Sequence, residues 1–507
     1  MLEQEDIVIL PTYKIPHMKT LLSTILTLFV LASFGQSDKE LTDQTVNRAV
    51  AKSHLSFLAS DELKGRDTPS EGQRIAAKYI TTQFALYGVK AYEEYPDYLQ
   101  PVKFKNQKKP TSGSILAGAT SFALGSDFLL MSGADLNWEG DIIKLKNATP
   151  EEIAKNDVKG KWIVASCGDG KDESVRAWFG LSPEKQKAAK EAGAAGLIEL
   201  YNSPQLPWPR LVGFLNRDRL SLGSDQEEET EFPVIWLYND GEKATTSFEG
   251  TKTSEVKVQG AKTEKFTAPN VVGYVEGTDP KLKDEYIVYC AHYDHIGIGQ
   301  PNAEGDSIYN GARDNAIGTV AVMEAAKNLA KYPTKRSALF VLFTAEEKGL
   351  LGSSWFVDHS PLEINQMVFC NNIDNGGYND TSKITVIGLE RTTAKDNTVA
   401  AVTAYGLEAI ADPAPEQGLF DRSDNVNFAS KGVPAPDFSM GFTAFDEEIM
   451  KYYHQAGDHV ETLDMDYVHK YWSAYVLTGR LIGNDPERPF WIMGDKYYDA
   501  GVKLYKE

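Results

Sequence analysis

Cysteine is scarce: the chain has three in 507 residues, Cys167, Cys290 and Cys370, far apart and without a CxxC pair. That argues against a disulfide framework and against a thiolate zinc site. The odd count leaves at least one thiol without an internal partner. Each cysteine follows an apolar run, as a small buried hydrophobe would. Basic residues are also few, 52 Lys and Arg against 72 Asp and Glu for a formal charge of -20, and no run of Lys or Arg occurs. That balance argues against a nucleic-acid backbone as partner. HExxH is absent, which removes the helix-borne mononuclear zinc protease pattern.

Long apolar runs are confined to one place. Met18-Lys19-Thr20 is followed by apolar residues from Leu21 to Phe34 and then by small and polar ones, the pattern of a secretory signal peptide. The run is short for a bilayer. Residues 18–37 are read as the signal and 1–17 as an upstream extension, with Met18 as the working initiator. No membrane span is expected after its removal.

A chain of this length exceeds one ordinary core, so two domains or a large domain with an insertion are expected. From about Asp43 to Val89 the pattern is helical. Ser70-Glu71-Gly72-Gln73 fits a capping box, and Gly88 fits a stop. Between about 115 and 262 come short strand-like runs, such as Lys161 to Ala165, and a helix expected to open at Ser182-Pro183-Glu184. Pro207-Trp208-Pro209-Arg210 reads as a stiff aromatic loop. This stretch is a small α/β insert. After Ala268-Pro269-Asn270, near-continuous apolar runs (Tyr286 to Cys290, Ala338 to Phe343, Met367 to Cys370, and a weaker one around Val433 to Met440) alternate with helical stretches. The reading is an α/β fold: a doubly wound, mostly parallel sheet with helices on both faces.

Ligands of such sheets bind beyond the carboxyl ends of the strands. The first apolar run is followed by His292, Asp294 and His295, the second by Glu346-Glu347, and the third by Asp374. Asp314 lies where the helix beginning near Asn315 starts, and His454 comes after the last strand. A single such residue would mark only the point where a buried strand meets solvent. Carboxylates gathered at one sheet edge repel one another unless protons or cations intervene. Oxygen and imidazole donors without cysteine suit catalytic zinc, with manganese or cobalt as substitutes.

The segments AHYDH, GARDNAIG, TAEEKGLLGS, NNIDNGG, RSDNVNFASKGVPA and YYHQAGDHVE, in this order and spacing, resemble peptidase family M28, the cocatalytic zinc aminopeptidases and their relatives. LSFLASDELKGRD resembles the N-terminal part of secreted members, and the insert resembles the protease-associated domain some of them carry. The resemblance divides the chain into an N-terminal part of the peptidase domain at 38–114, a protease-associated insert at 115–262 and the main part of the peptidase domain at 263–507. It implies two zinc ions: His292 and Asp374 on one, Glu347 and His454 on the other, Asp314 bridging. It further implies Glu346 as general base, Asp294 as the group orienting His292, and Tyr453 as hydrogen-bond donor to the developing oxyanion. Neighbouring side chains of an extended segment point different ways, so one of the paired glutamates can ligate while the other faces the attacking water. The family often holds the bond after the bridging aspartate in cis, here Asp314-Asn315.

Bland roles compete elsewhere. His295 reads as a loop residue near the site, and Asp458 as support for a turn or a ligand. Ser423 and Asp424 read equally as a pocket segment or a helix-start cap, while Gly311 and Gly318 read as steric necessities. The expected substrate is a peptide cut at its N-terminus by an exported enzyme. The alternatives are a carboxypeptidase or glutaminyl cyclase of the same fold, or a receptor-like binding protein without catalysis. A carboxypeptidase would want a carboxylate clamp, for which Arg210, Arg217 and Arg219 are near one another in sequence. The oligomeric state is not legible.

Overall fold

The two central apolar runs alternate strictly between two cores, which is why they read as unbroken. In a computed structural model, which describes residues 36–172, 174–223 and 231–506, Ile287, Tyr289, Phe340 and Leu342 enter one core while Val288, Cys290, Leu339 and Val341 enter another. A strand apolar on both faces belongs in the middle of a covered sheet. The expected signal segment lies outside the described residues except for its last two positions, and the upstream extension lies wholly outside them. Among the described residues no helix is long and apolar enough to cross a membrane.

The main sheet has nine strands: β1 (Leu99–Gln107), β2 (Arg219–Leu222), β3 (Thr263–Val275), β4 (Tyr286–His292), β5 (Ser337–Phe343), β6 (Met367–Asn372), β7 (Lys383–Ile387), β8 (Glu408–Ile410) and β9 (Asp437–Met440). Their order is β8-β7-β9-β6-β4-β5-β3-β1-β2. The centre is parallel: β4 pairs with β5 and β6, and β6 with β9. The flanks turn antiparallel at β3 against β5 and at β7 against β9. The sequence expectation of an α/β sheet covered on both faces therefore holds, with the parallel part concentrated where the ligand-like residues emerge.

One face is covered by α1 (Arg48–Leu58), α2 (Glu71–Tyr87), α3 (Ile317–Lys331) and a long helix, Met465–Asn484, through Leu55, Ile80, Phe84, Val320, Met323 and Trp472. Short helices at Leu351–Asp358 and Asn425–Ser430 cover the other face through Phe356 and Phe428. Ser70 caps α2 by accepting from the Gln73 amide at 3.2 Å, and Gly88 ends it in the left-handed conformation. The box is only half made, because the Gln73 side chain turns away to Thr68 and Thr344, tying α2 to the end of β5.

Among the described residues a second sheet of eight strands is built from segments between Ser112 and Gln259, around a core that includes Ile115, Trp162, Ile198, Ile235 and Val256. Strand β2, although it lies within this stretch, crosses to pair with β1 in the main sheet. The insert helix spans Val175–Glu191 and is capped by Ser174, so Pro183 lies inside it and not at its start. Val175 and Trp178 pack with Tyr201 and Trp236, and that burial carries the helix upstream of the proline at the cost of one backbone hydrogen bond. The expected loop at Pro207 is instead the start of a helix, Trp208–Leu215. Its Trp208 indole donates to the carbonyls of Gly125 at 3.2 Å and Ser126 at 2.8 Å, so it caps its own unit.

Candidate metal centre

Because β4, β5 and β6 are parallel, their carboxyl ends share one edge, and the polar residues after them converge. His292 is the last residue of β4, and Asp374 stands two positions beyond β6. Asp314 lies in the irregular turn Ala312–Ala316 ahead of α3, followed by a cis peptide to Asn315. That turn is locked by Asn315, whose Nδ2 donates to the Ile373 carbonyl at 2.8 Å while its Oδ1 accepts from the Gly318 amide at 3.1 Å. A Cβ on Gly311 would come within 2.6 Å of the His295 ring, and one on Gly318 would collide with the Asn315 amide. The steric reading of both glycines is thereby met. Glu346 and Glu347 lie in a tight turn and not in an extended segment: the Glu346 carbonyl accepts from the Gly349 and Leu350 amides, both at 2.9 Å. Ala345, with φ of 55°, begins that turn. The turn, rather than strand alternation, separates the two carboxylates.

Two groups of donor atoms result, each within 4.8 Å internally: His292 with Asp314 and Asp374, and His295 with Asp314 and Glu347. Asp314 belongs to both. His292 Nε2 is 3.1 Å from Asp374 Oδ1 and 3.3 Å from Asp314 Oδ1. His454 Nε2 is 3.1 Å from Asp314 Oδ2 and 3.4 Å from Glu347 Oε2. Glu346 Oε2 stands 3.9 Å from His292 Nε2. A cavity of about 430 Å³ opens beside them, lined among others by Glu346, Asp374, Arg422, Tyr453 and His454.

The electrostatics are those of too many acids in too little water. Burial pushes the Glu346 carboxyl well above the usual range and holds Asp294 up at about 6. Burial would raise Asp314 too, but hydrogen bonds from His292 and His454 hold it well below the ordinary value. Burial works to lower His292, yet Asp374 and Glu346 outweigh it and keep its pKa well above normal. Opposed shifts among touching groups mark a site where ionised acids need cations. Glu347 Oε1 and both His295 ring nitrogens are buried, and apart from the 2.6 Å approach of Glu347 Oε1 to His295 Nδ1 none of them has a hydrogen-bond partner. Orphaned oxygen and imidazole donors around a shared carboxylate fit divalent ions of the zinc type.

The supporting residues depart in part from the sequence expectations. Asp294 meets His292 through its main chain: His292 Nδ1 is 3.2 Å from the Asp294 carbonyl and 3.8 Å from Oδ1. Its carboxylate accepts instead from the Glu346 amide at 3.2 Å and from Thr68 Oγ1 at 3.4 Å, so it holds the general-base candidate as well. Asp458 accepts from the Arg313 amide and from Arg313 Nη1, each at 2.8 Å, and so fixes the residue before Asp314. Asp424 does not cap its helix. It is buried with both oxygens unpartnered, and burial lifts it to about 7. Ser423 Oγ accepts from Asn372 Nδ2 at 2.9 Å and lines the cavity. Arg219 is occupied by Gln107 at the end of β1 and by the Leu130 carbonyl of the insert.

Sequence reasoning assigned no role to three residues here. His295, set aside as a loop residue, has Nδ1 2.6 Å from Glu347 Oε1. Its position three after His292 was the available signal. Arg422 Nη2 donates to Tyr453 Oη at 3.1 Å. Arg66 is fully buried and donates to the carbonyls of Tyr293 at 2.9 Å, Asn310 at 2.7 Å and Gly311 at 3.1 Å, and to that of Leu58. It bridges the loops that carry His292 and Asp314.

Comparison with known proteins places this geometry. The profile of peptidase family M28 matches residues 270–477. The chain is similar to aminopeptidase YwaD of Bacillus subtilis (strain 168), at 28% identity over 315 residues covering 61% of this chain and 60% of that protein. It is also similar to the probable leucine aminopeptidase 2 of Aspergillus oryzae (strain ATCC 42149 / RIB 40), at 29% identity over 240 residues, 46% of this chain and 41% of that one. The match thus spans about 60% of the first relative's length and less of the second's. Among solved structures, the aminopeptidase from Aneurinibacillus sp. strain AM-1 shares the fold, with a TM-score of 0.54 and 19% identity over 89% of this chain and 97% of that one. Every imidazole and carboxylate of both donor groups falls within the matched segment, residues 270–477, which is similar to peptidase family M28.

Proposed function

We propose that this chain is an exported, metal-dependent aminopeptidase that removes N-terminal residues from peptides, with residues 115–262 forming a protease-associated insert. One observation carries the reading: Asp314 is common to two groups of mostly buried donors, and Asp314, Asp374 and Glu347 line the same cavity as Glu346 and Tyr453. The relatives named as aminopeptidases support the choice of reaction.

In this reading His292 and Asp374 would hold one zinc ion and Glu347 and His454 a second, with Asp314 contributing to both. Such ions supply Lewis-acid polarisation of the scissile carbonyl and acidify water. Glu346 receives the proton of the attacking water and returns it to the leaving amine. Asp294 fixes Glu346 by accepting from its amide, which keeps that carboxylate oriented without consuming its oxygens. The Tyr453 oxygen accepts from Arg422, which leaves its O–H free to donate to the oxyanion as it forms. An inactive binding protein would have no need of the full donor set together with a general-base candidate.

The test is a panel of aminoacyl reporters and peptides with free C-termini, assayed with and without a chelator. Release of N-terminal residues that stops on chelation and returns with zinc is expected. Cleavage from the C-terminus alone, or none that depends on Glu346, would overturn the reading.

A further inference from the structure

Arg391 stands just beyond β7 and belongs to neither donor group, yet its side chain joins residues 490–498 to the rim of the cavity. Its guanidinium makes two bonds to the Asp495 carboxylate, from Nε at 2.6 Å and from Nη2 at 2.9 Å. The same group lies 3.8 Å from the centre of the Phe420 ring. Phe420 is buried, with Trp491 and Tyr497 around it at centroid distances of 6.4 and 6.0 Å. A Cβ on Gly388 would come within 2.9 Å of that ring, so no room is left between the ring and the end of β7.

Phe420 sits in the one-turn helix Leu419–Asp421, entered through Gly418 in the left-handed conformation and without a side-chain cap. A turn this short does not hold itself. Its anchors are tertiary, and they come from beyond the segment matched to family M28. Lys496 Nζ reaches both Asp421 oxygens, at 2.7 and 2.8 Å. Residues 490–498 are in turn tied down around Arg391. The Ile492 amide donates to the Arg391 carbonyl and the Thr393 amide to the Phe490 carbonyl, each at 2.8 Å. The Lys496–Asp421 pair is exposed and contributes little by itself. The Arg391–Asp495 pair is largely enclosed and two-pronged, which makes it the firmer anchor.

The anchored turn leads directly into the cavity wall. Leu419, Asp421, Arg422 and Ser423 line the cavity, and Arg422 Nη2 donates to the Tyr453 hydroxyl at 3.1 Å. Stacking on His454 at 4.1 Å and an edge contact with Phe445 at 5.8 Å hold the plane of the Tyr453 ring. Among the described residues no other hydrogen bond reaches that hydroxyl, so its place along the wall depends on Arg422. Arg422 is itself exposed. An exposed arginine side chain has many rotamers open to it, and it keeps one partner only if the backbone beneath it is fixed.

We propose that Arg391 is a positioning residue for the reaction, fixing through Phe420 and Asp495 the turn that carries Arg422 and so the Tyr453 hydroxyl that donates to the developing oxyanion. The inference rests on the aminopeptidase reading above. Residues 490–498 thereby act on the reaction although none of them lines the cavity.

The experiment measures kcat and KM of the zinc-loaded full chain on an N-terminal leucine reporter. Arg391→Met keeps the length of the stem and removes both the ion pair and the charge over Phe420. It should lower kcat about tenfold with KM and the zinc-to-protein ratio unchanged, because the weakened contact is one made in the transition state. In a Tyr453→Phe background the same substitution should cost less than about twofold, since the hydroxyl it positions is gone. Asp495→Asn keeps the shape of the pair without its charge and should lower kcat about threefold; it carries the whole comparison if Arg391→Met does not fold. A second readout is binding. An aminophosphonate analogue of leucine, whose tetrahedral oxygens stand where the oxyanion forms, should bind each variant more weakly by the same factor as its loss in kcat. An unchanged kcat in either variant overturns the inference and leaves the aminopeptidase reading intact. Equal losses with and without the Tyr453 hydroxyl also overturn it, because they show only a general loosening of the fold. Cleavage of no N-terminal reporter by the wild-type chain removes both.

Discussion

His295 Nδ1 lies 2.6 Å from Glu347 Oε1, both wholly enclosed, and neither atom has a hydrogen-bond partner elsewhere. The contact places an imidazole that sequence reasoning set aside directly behind a proposed zinc ligand. Replacing His295 with Phe should weaken zinc binding at the Glu347 position by about 10- to 100-fold, the usual cost of losing a ligand's outer partner. Zinc titration of the apoprotein would show this as one weakened equivalent beside one unchanged. Two unchanged equivalents would return His295 to a packing role.

Glu346→Gln should separate metal binding from chemistry. The amide preserves volume but cannot take the proton, so turnover should fall by about 10²- to 10⁴-fold while the zinc-to-protein ratio stays at the wild-type value. Loss of zinc in step with activity would show that Glu346 is a ligand and not the base.

Asp314 is shared by both donor groups, so Asp314→Ala should empty both positions, whereas Asp374→Ala should empty one. Metal analysis after dialysis distinguishes the cases. Retention of one full equivalent by Asp314→Ala would refute the bridging role.

Arg66 donates to main-chain carbonyls on three segments, at Leu58, Tyr293 and Asn310–Gly311. Arg66→Leu would leave them buried and unpaired at about 1–3 kcal/mol each, a loss of several kcal/mol in unfolding free energy together with weaker zinc binding. Arg66→Lys should fall between, because a point charge cannot reach all of them. A melting temperature unchanged in Arg66→Leu would show that the bridge contributes nothing.

His54 lies between the Tyr79 and Tyr87 hydroxyls, at 2.7 and 3.0 Å. Burial, helped by repulsion from Lys327, lowers its pKa from 6.5 to about 4. The folded state therefore keeps the ring neutral in a range where the unfolded chain takes up a proton. Its contribution is complete above the unfolded value and is lost as the pH falls towards 4. In His54→Gln the stability gap between about pH 7 and about pH 4.5 should narrow by about 2 kcal/mol after allowance for partial screening. Urea unfolding at the two pH values measures it, and an undiminished gap would place the acid sensitivity elsewhere.

The residues at the sheet edge were legible because of topology. Parallel strands buried on both faces leave unbroken apolar runs, and whatever follows each run must gather at one edge. The divergence of the glutamate pair was expected from strand alternation, whereas a turn at Ala345 carries the two side chains. Arg391 carried no signal: Asp495, which holds it, is 104 positions away. Arg66 and Asn310 are 244 positions apart in sequence, beyond the reach of any local pattern. The start of the insert helix was misplaced because proline marks a first turn only when packing does not extend the helix past it.

By itself the sequence determined the α/β class, the strands of the parallel centre and the order in which donor residues leave it, because hydrophobic periodicity and strand polarity are local properties written along the chain. Tertiary structure alone decided which donors share Asp314, that His295 touches Glu347 and that Cys290 and Cys370 lie 3.4 Å apart as buried free thiols. Those relationships depend on distances between segments far apart in sequence, and these are set by register, packing and turn geometry.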